Sequence, residues 1–337
     1  MIRRIVTSIA VLIMTALLPP AAVAQERVTV GTQRLVTSGP LFLADARGYF
    51  KAEGLELAMT AYGAPQTVIE ALGAGATDFA LTDLTAAAFN LAGQGRIKAI
   101  AAQAREKRGY EGSEIVASIA AAERGLRKPE NLANTVVGVT HLGGPSHYQF
   151  GRVARLKGFK FEGMMVKQLQ TLDALVEAVR SGGIDAAIVP AVQARELLVS
   201  NQARLVTWYS ELDEAQTGAL FASATVLQKR RPVVEKFLRA YRRGVADYAA
   251  MLRIDRYGKR VSDERSQAAA ATIARYVYPG RSPAAAASSV EIGALYIEPK
   301  AAFDTADIER QIAWYKAQGL VEASVEAGKV IDLSFPQ

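Results

Sequence analysis

The residues best suited to chemistry in this chain are few, and their types point to grip rather than turnover. Its only two histidines, His141 and His147, stand on either side of the turn Gly143-Gly144-Pro145, with Ser146 beside the second. No carboxylate neighbours them, and their separation is not that of metal ligands. The chain has no cysteine, so it has no thiol nucleophile and no thiolate-bound metal. It also lacks Gly-x-Ser-x-Gly, Gly-x-x-x-x-Gly-Lys and a Gly-x-Gly-x-x-Gly that follows a strand. Neither a nucleophile and base in fixed relation nor a phosphate cradle is expected, and no cofactor. What the turn does offer is a helix start, where free amides and the positive end of the dipole attract an anionic or polar group.

The elements that position this turn can be read around it. Residues 136–140 form a short apolar, β-branched run with the character of a strand buried on both faces. After the turn, Phe150, Val153, Ala154 and Leu156 recur at helical spacing until Gly158, and Ser146 is the expected cap. A buried strand feeding a helix in this way presents its turn in the crevice beyond the carboxyl end of an open α/β sheet. The pattern has an echo. Residues 28–32 make a similar strand, followed by a small-residue loop and a helix. Further on, Glu70-Ala71, Gly75 and Asp78 match Glu177-Ala178, Gly182 and Asp185. Two lobes of similar topology follow, each with a helix closing on Gly75 or Gly182 and passing into a buried strand. Those strands deliver Thr82 and Asp83 to the crevice in the first half, and Val189 and Pro190 in the second.

The bulk properties agree. With 337 residues, 50% hydrophobic and 22% charged, the chain has globular composition and ample material for two cores. Residues 1–24 have a basic start at Arg3 and Arg4, an apolar run and Ala22-Val23-Ala24, which together form a secretory signal peptide. The mature protein is expected free in a bacterial periplasm, as a monomer held by its cores alone. The net charge of +7 includes Arg3 and Arg4, and the basic residues are scattered. The runs at 229–231 and 239–243 suit a solvated helix face, and no nucleic-acid partner is expected.

Along the chain, Arg34 lies in the loop after the first strand, with Ser38 and Pro40 starting a helix over 41–49. Asp83 either accepts a hydrogen bond from a ligand or caps a helix over 84–91. Residues 105–114 cross to the second lobe. Trp208, after the last strand of that lobe, either lids a ligand or packs in the core. Residues 218–227 return as an extended segment to lobe one, and the helical remainder wraps that lobe, ends raggedly and offers no chemistry.

Taken together, Pro40-Leu41-Phe42-Leu43-Ala44, Gly48-Tyr49-Phe50-Lys51-Ala52-Glu53-Gly54-Leu55, the two Gly-x-x-Asp units and residues 143–147 resemble the periplasmic binding proteins of ABC importers. The group is that of the sulfonate, nitrate and taurine binders and the NMT1/THI5-like proteins, matched over roughly residues 27–245. The resemblance implies an α/β fold of the type II periplasmic binding class, two doubly wound lobes joined by two crossing strands. Its divisions would be 25–105 with 222–337, then 114–214, with hinges at 106–113 and 215–221. It implies a small-molecule ligand between the lobes, held among Gln33, Arg34, Ser38, Gly39, Thr82, Asp83, His141, Gly144, Ser146, His147, Pro190 and Trp208, and an inner-membrane permease as partner. The group's sulfonate binders often carry a serine run before the histidine. Here only Ser146 keeps a hydroxyl, so a carboxylate is the first expectation. A neutral or amino heterocycle such as a thiamine-precursor pyrimidine, with Asp83 as acceptor, is the alternative, and a pyrimidine-forming enzyme is the rival from another class.

Overall fold

The computed structural model describes residues 25–335, so the expected signal peptide lies outside the described residues. Strands β1 (Glu26–Thr32), β2 (Leu55–Ala61), β3 (Phe79–Asp83) and β4 (Ile97–Ala102) are followed by the short crossing strand β5 (Ala104–Glu106). Next come β6 (Ser113–Ser118), β7 (Val136–Val139), β8 (Met165–Gln168), β9 (Ala186–Pro190) and β10 (Ala203–Trp208). The chain then returns through β11 (Ala215–Gln216) and β12 (Gly218–Ser223), with β13 (Tyr296–Ile297) much later. One five-stranded sheet runs β2-β1-β3-β12-β4 and the other β8-β7-β9-β6-β10, while β11, β5 and β13 form a small sheet at the crossings. In each large sheet the first three strands are parallel, and the fourth enters antiparallel from the other half of the chain.

The two halves are pinned in the same way. Asp78 accepts the Thr29 amide at 3.0 Å, and Asp185 accepts the Val136 amide at 2.8 Å. Arg230 neutralises the first carboxylate and Arg124 the second. The peptide amide of each aspartate returns a bond to the same strand, Asp78 to the Thr29 carbonyl and Asp185 to that of Val136. Gly75 and Gly182, with φ of +76° and +73°, make the turns that bring these aspartates into place.

The helices near the crevice are α1 (Gly39–Ala46), α2 (Pro65–Gly73), α3 (Ala86–Gly93), α4 (Pro145–Lys157), α5 (Leu172–Arg180) and α6 (Ala191–Val199). The carboxyl-terminal part adds α7 (Arg231–Met251), α8 (Glu264–Val277), α9 (Pro283–Gly293) and α10 (Thr305–Ala317). Apolar residues of α7 recur every three or four positions, and Phe237 stacks on Phe79 with ring centres 4.0 Å apart, so this helix seals one face of the first sheet.

Several expectations are corrected. The helix over 41–49 begins two residues earlier and breaks at Arg47 and Gly48 before a further turn, Tyr49–Ala52. The extended return stops at Ser223, whose hydroxyl accepts the Val226 amide and starts a helix, Ala224–Lys229. The described part of the tail packs on the fold: Ile331 pairs beside Ala99, and the Asp332 amide bonds the Ala99 carbonyl. Nor does the carboxyl-terminal part touch lobe one alone. A single apolar cluster joins Phe89 and Ala80 of the first half to Val137 and Phe150 of the second through Ile308, Ile312 and Tyr315 of α10.

Because the two aspartates do the same job, Asp78→Ala and Asp185→Ala should each destabilise the protein by about 2 kcal/mol, the cost of orphaning a partly buried amide and an arginine. Urea unfolding midpoints check this; a drop confined to one of the two variants would contradict the matched-halves reading.

Candidate ligand-binding site

The segments that follow β3 and β7 meet between the two large sheets, with the end of β1 beside that of β3, and the chain is polar there although much of it is buried. On the first side, the Thr32 hydroxyl lies 3.0 Å from that of Ser38 and donates to the Leu81 carbonyl, and Thr82 donates to the Gln33 side-chain carbonyl at 3.1 Å. Gln103, a buried residue that sequence reasoning passed over, donates to the Thr37 carbonyl. Only its place at the end of β4 could have signalled it. Asp83 completes β3. Its carboxyl has no hydrogen-bond or ionic partner among the described residues, and although its residue surface is only partly covered, desolvation pushes its pKa up to about 7. It does not cap the next helix: Thr85 does, accepting the Ala88 amide.

On the second side, the loop after β7 is folded onto itself. Leu142 donates to the Gln168 side chain, Gly143 to His147 Nδ1 at 3.0 Å, and Gly144 to the His141 carbonyl at 3.2 Å. Pro145 occupies the first turn of α4, so Gly144 is the cap and Ser146 falls inside the helix, without the capping bond expected of it. The His147 and Tyr148 amides turn back to the Gly144 carbonyl. The amides expected to be free for an anion are thus mostly spent, and the Ser146 amide is the one left at this helix start. His147 is 5% exposed, its Nδ1 is committed, and burial pushes its pKa down to about 4, which makes it a wall residue rather than a cation for a ligand. His141 is half-buried, and its Nδ1 is buried without a partner.

The two sides meet directly, the Ala86 amide donating to the Gly143 carbonyl at 2.9 Å. Gly143 has φ of +80°, and a Cβ there would lie 2.8 Å from that of Ala86, so only glycine allows this approach. The contact brings Thr82 and Asp83 beside residues 141–147. Other candidates stand elsewhere. Arg34 is exposed and has no partner among the described residues, on a cavity of about 420 Å³ that it shares with Gln33, Leu35 and Tyr62. Pro190 is exposed and precedes α6; Trp208, half-buried, pairs with Glu114 at the end of β10. Gly39 faces away from the gap: a Cβ there would lie 2.8 Å from the Tyr248 ring and 2.9 Å from Ile273, so its smallness serves the packing of α1 on α7 and α8.

Residues from α10, a region expected to carry no chemistry, support the loop from behind. Tyr315 donates to the Gly144 carbonyl at 2.9 Å, and the Trp314 ring centre lies 4.9 Å from that of His147. Among the described residues no group of three or more His, Asp or Glu could hold a metal, and no described helix is long and apolar enough to cross a membrane.

Two matched α/β lobes, two crossing strands and polar loops meeting at the strand ends define the type II periplasmic binding fold. The chain belongs to the NMT1/THI5-like family, whose description matches residues 36–251. Among solved structures it is similar to the periplasmic aliphatic sulphonate binding protein SsuA of Escherichia coli (16% identity, TM-score 0.70, covering 93% of this chain and 94% of that one). It is also similar to the alkanesulfonate-binding protein SsuA of Xanthomonas axonopodis pv. citri bound to MOPS (16%, 0.67, 90% and 97%). A protein of Bordetella bronchiseptica RB50 aligns at 19% identity and TM-score 0.64, over 91% of this chain and 93% of its own. No curated protein sequence matches the chain.

Buried carboxyls make stability pH-dependent here. Glu106 on β5 is fully buried and accepts the Ser113 amide, and burial pushes its pKa up to about 7. A group raised on folding contributes below its unfolded value, near 4, and that contribution is lost as pH rises through about 7. Glu106→Gln should therefore be more stabilising at pH 8 than at pH 5, by on the order of 2 kcal/mol. Denaturation at both pH values tests this; equal effects at pH 5 and pH 8 would contradict it.

Proposed function

We propose that this protein is the solute-binding component of an ABC importer: exported to the periplasm by a cleaved leader, acting as a monomer, closing two lobes on one small polar molecule and handing it unchanged to an inner-membrane permease. The observation that carries this reading is the pairing of unspent polar groups at a junction between lobes: the Asp83 carboxyl on one side, His141 Nδ1 and the Ser146 amide on the other, with glycine at the contact. A ligand that touches both sides stabilises the closed arrangement by its differential affinity, which is all that hinge closure requires. Among the described residues no nucleophile hydrogen-bonded to a base accompanies these groups, so binding without turnover is the simpler account.

The ligand class favoured by these groups is an amino-bearing or neutral heterocycle. An unpartnered carboxylate rewards an N–H or O–H donor, and an uncompensated anion beside it is penalised. The first expectation, a carboxylate or sulfonate, keeps two separate supports: Arg34, exposed and without a partner among the described residues on the cavity beside Gln33, and the Ser146 amide on the other side.

Titration calorimetry of the mature protein against aminopyrimidines, aromatic carboxylates and alkanesulfonates separates the readings. An aminopyrimidine whose exocyclic N–H donates to the Asp83 carboxylate should bind more tightly as pH rises through 7, because Asp83 then ionises, and Asp83→Asn should weaken it about 100-fold. Binding of acids that is abolished by Arg34→Ala and indifferent to Asp83→Asn would transfer the site to the anion reading. A bound compound recovered chemically altered would overturn the transport reading.

A further inference from the structure

The loop that carries His141, Gly144 and Ser146 is held by α10, from the carboxyl-terminal part of the chain, as well as by its own lobe. At its far end α10 supplies the Tyr315 hydroxyl to the Gly144 carbonyl, and Tyr315 itself is fully buried. Trp314 meets His147 edge to face and fits against Gly151, where even a Cβ would lie 2.4 Å from the indole. At its near end the same helix grips both crossings between the lobes. Asp307 accepts the Gln216 amide at 2.8 Å and the Tyr148 hydroxyl at 3.2 Å; Gln311 donates to the Gln216 carbonyl at 2.7 Å; and Asp304, which caps the helix, pairs with Arg105 of β5 at 2.7 Å. Gln216 is thus held at its amide, its carbonyl and, through the Asp304 amide, its side chain.

We propose that α10 is a rigid strut that couples the hinge strands to the ligand loop, with Tyr315 and Trp314 as the positioning residues of residues 141–147. A helix of 13 residues spans about 20 Å, and one fixed at β5 and β11 at one end and at Gly144 at the other cannot let the hinge turn without moving the loop. The binding surface of the second lobe is then set by a segment outside the repeated unit. Its role as a ligand surface rests on the binding function proposed above.

The test needs no ligand. In hydrogen exchange on the full mature chain, Tyr315→Phe removes one oxygen and should accelerate the amides of residues 141–148 about tenfold, with residues 218–223 of β12 unchanged. Trp314→Ala should loosen the same loop, and Trp314→Phe, which keeps a ring against His147, should restore most of the protection. Unchanged exchange in the loop, or acceleration as large in β12 as in the loop, would overturn the strut. A loosened loop in a protein that binds no small molecule would count against the transport reading alone, whereas a firm loop in a protein that binds would count against the strut alone.

Discussion

One hydrogen bond, from the Ala86 amide to the Gly143 carbonyl, crosses between the two sheets, and the arrangement of the crevice depends on it. It joins the start of α3 to the turn before α4, so the loops that leave β3 and β7 share one junction. A residue with a side chain could not occupy that turn, both because its φ is positive and because Ala86 stands where the Cβ would go. Thr82, Asp83 and residues 141–147 are neighbours because of this approach. Among the described residues, the Asp83 carboxyl and His141 Nδ1 have no hydrogen-bond partner there, and the proposed ligand site rests on these two groups.

Much of this was legible in the amino-acid sequence because it is local or repeated. The strand-turn-helix units follow from short-range patterns of apolar spacing and glycine. The repeat was visible in Gly75 to Asp78 and Gly182 to Asp185, and the structure supplies its physical meaning: each aspartate ties the carboxyl-side strand of its unit to the amino-terminal strand, Thr29 or Val136, by paired bonds. Pattern matching found the motif without knowing that it was a pin.

What was not legible depended on long-range packing. Ser146 has the chemistry of a cap, but Pro145 takes the first helical position and moves the cap to Gly144. Gly39 looked like part of a ligand loop, whereas its smallness is required by Tyr248 and Ile273, far along the chain. Trp314 and Tyr315 sit in an ordinary amphipathic helix, and nothing in their spacing says that this helix reaches the second lobe. The resemblance to sulfonate and NMT1/THI5-like binders named the fold, and the family match and structural neighbours agree with it. Most amides of the loop at 142–148 are bonded within that loop, and this is why the proposed ligand is a hydrogen-bond donor rather than an anion.

The chain lacks cysteine, so the paired surface positions Glu70 on α2 and Glu177 on α5 can be replaced by cysteine and spin-labelled without interference. Distances between the labels, measured by pulsed electron resonance in an otherwise native background and with Gly143→Ala, test whether the lobes are two bodies closed at this junction. The substitution should shift the distribution to longer distances, since the added methyl group forbids the Ala86 contact. An identical distribution in both proteins would mean that the halves do not move about this point, and closure could not be how the protein works.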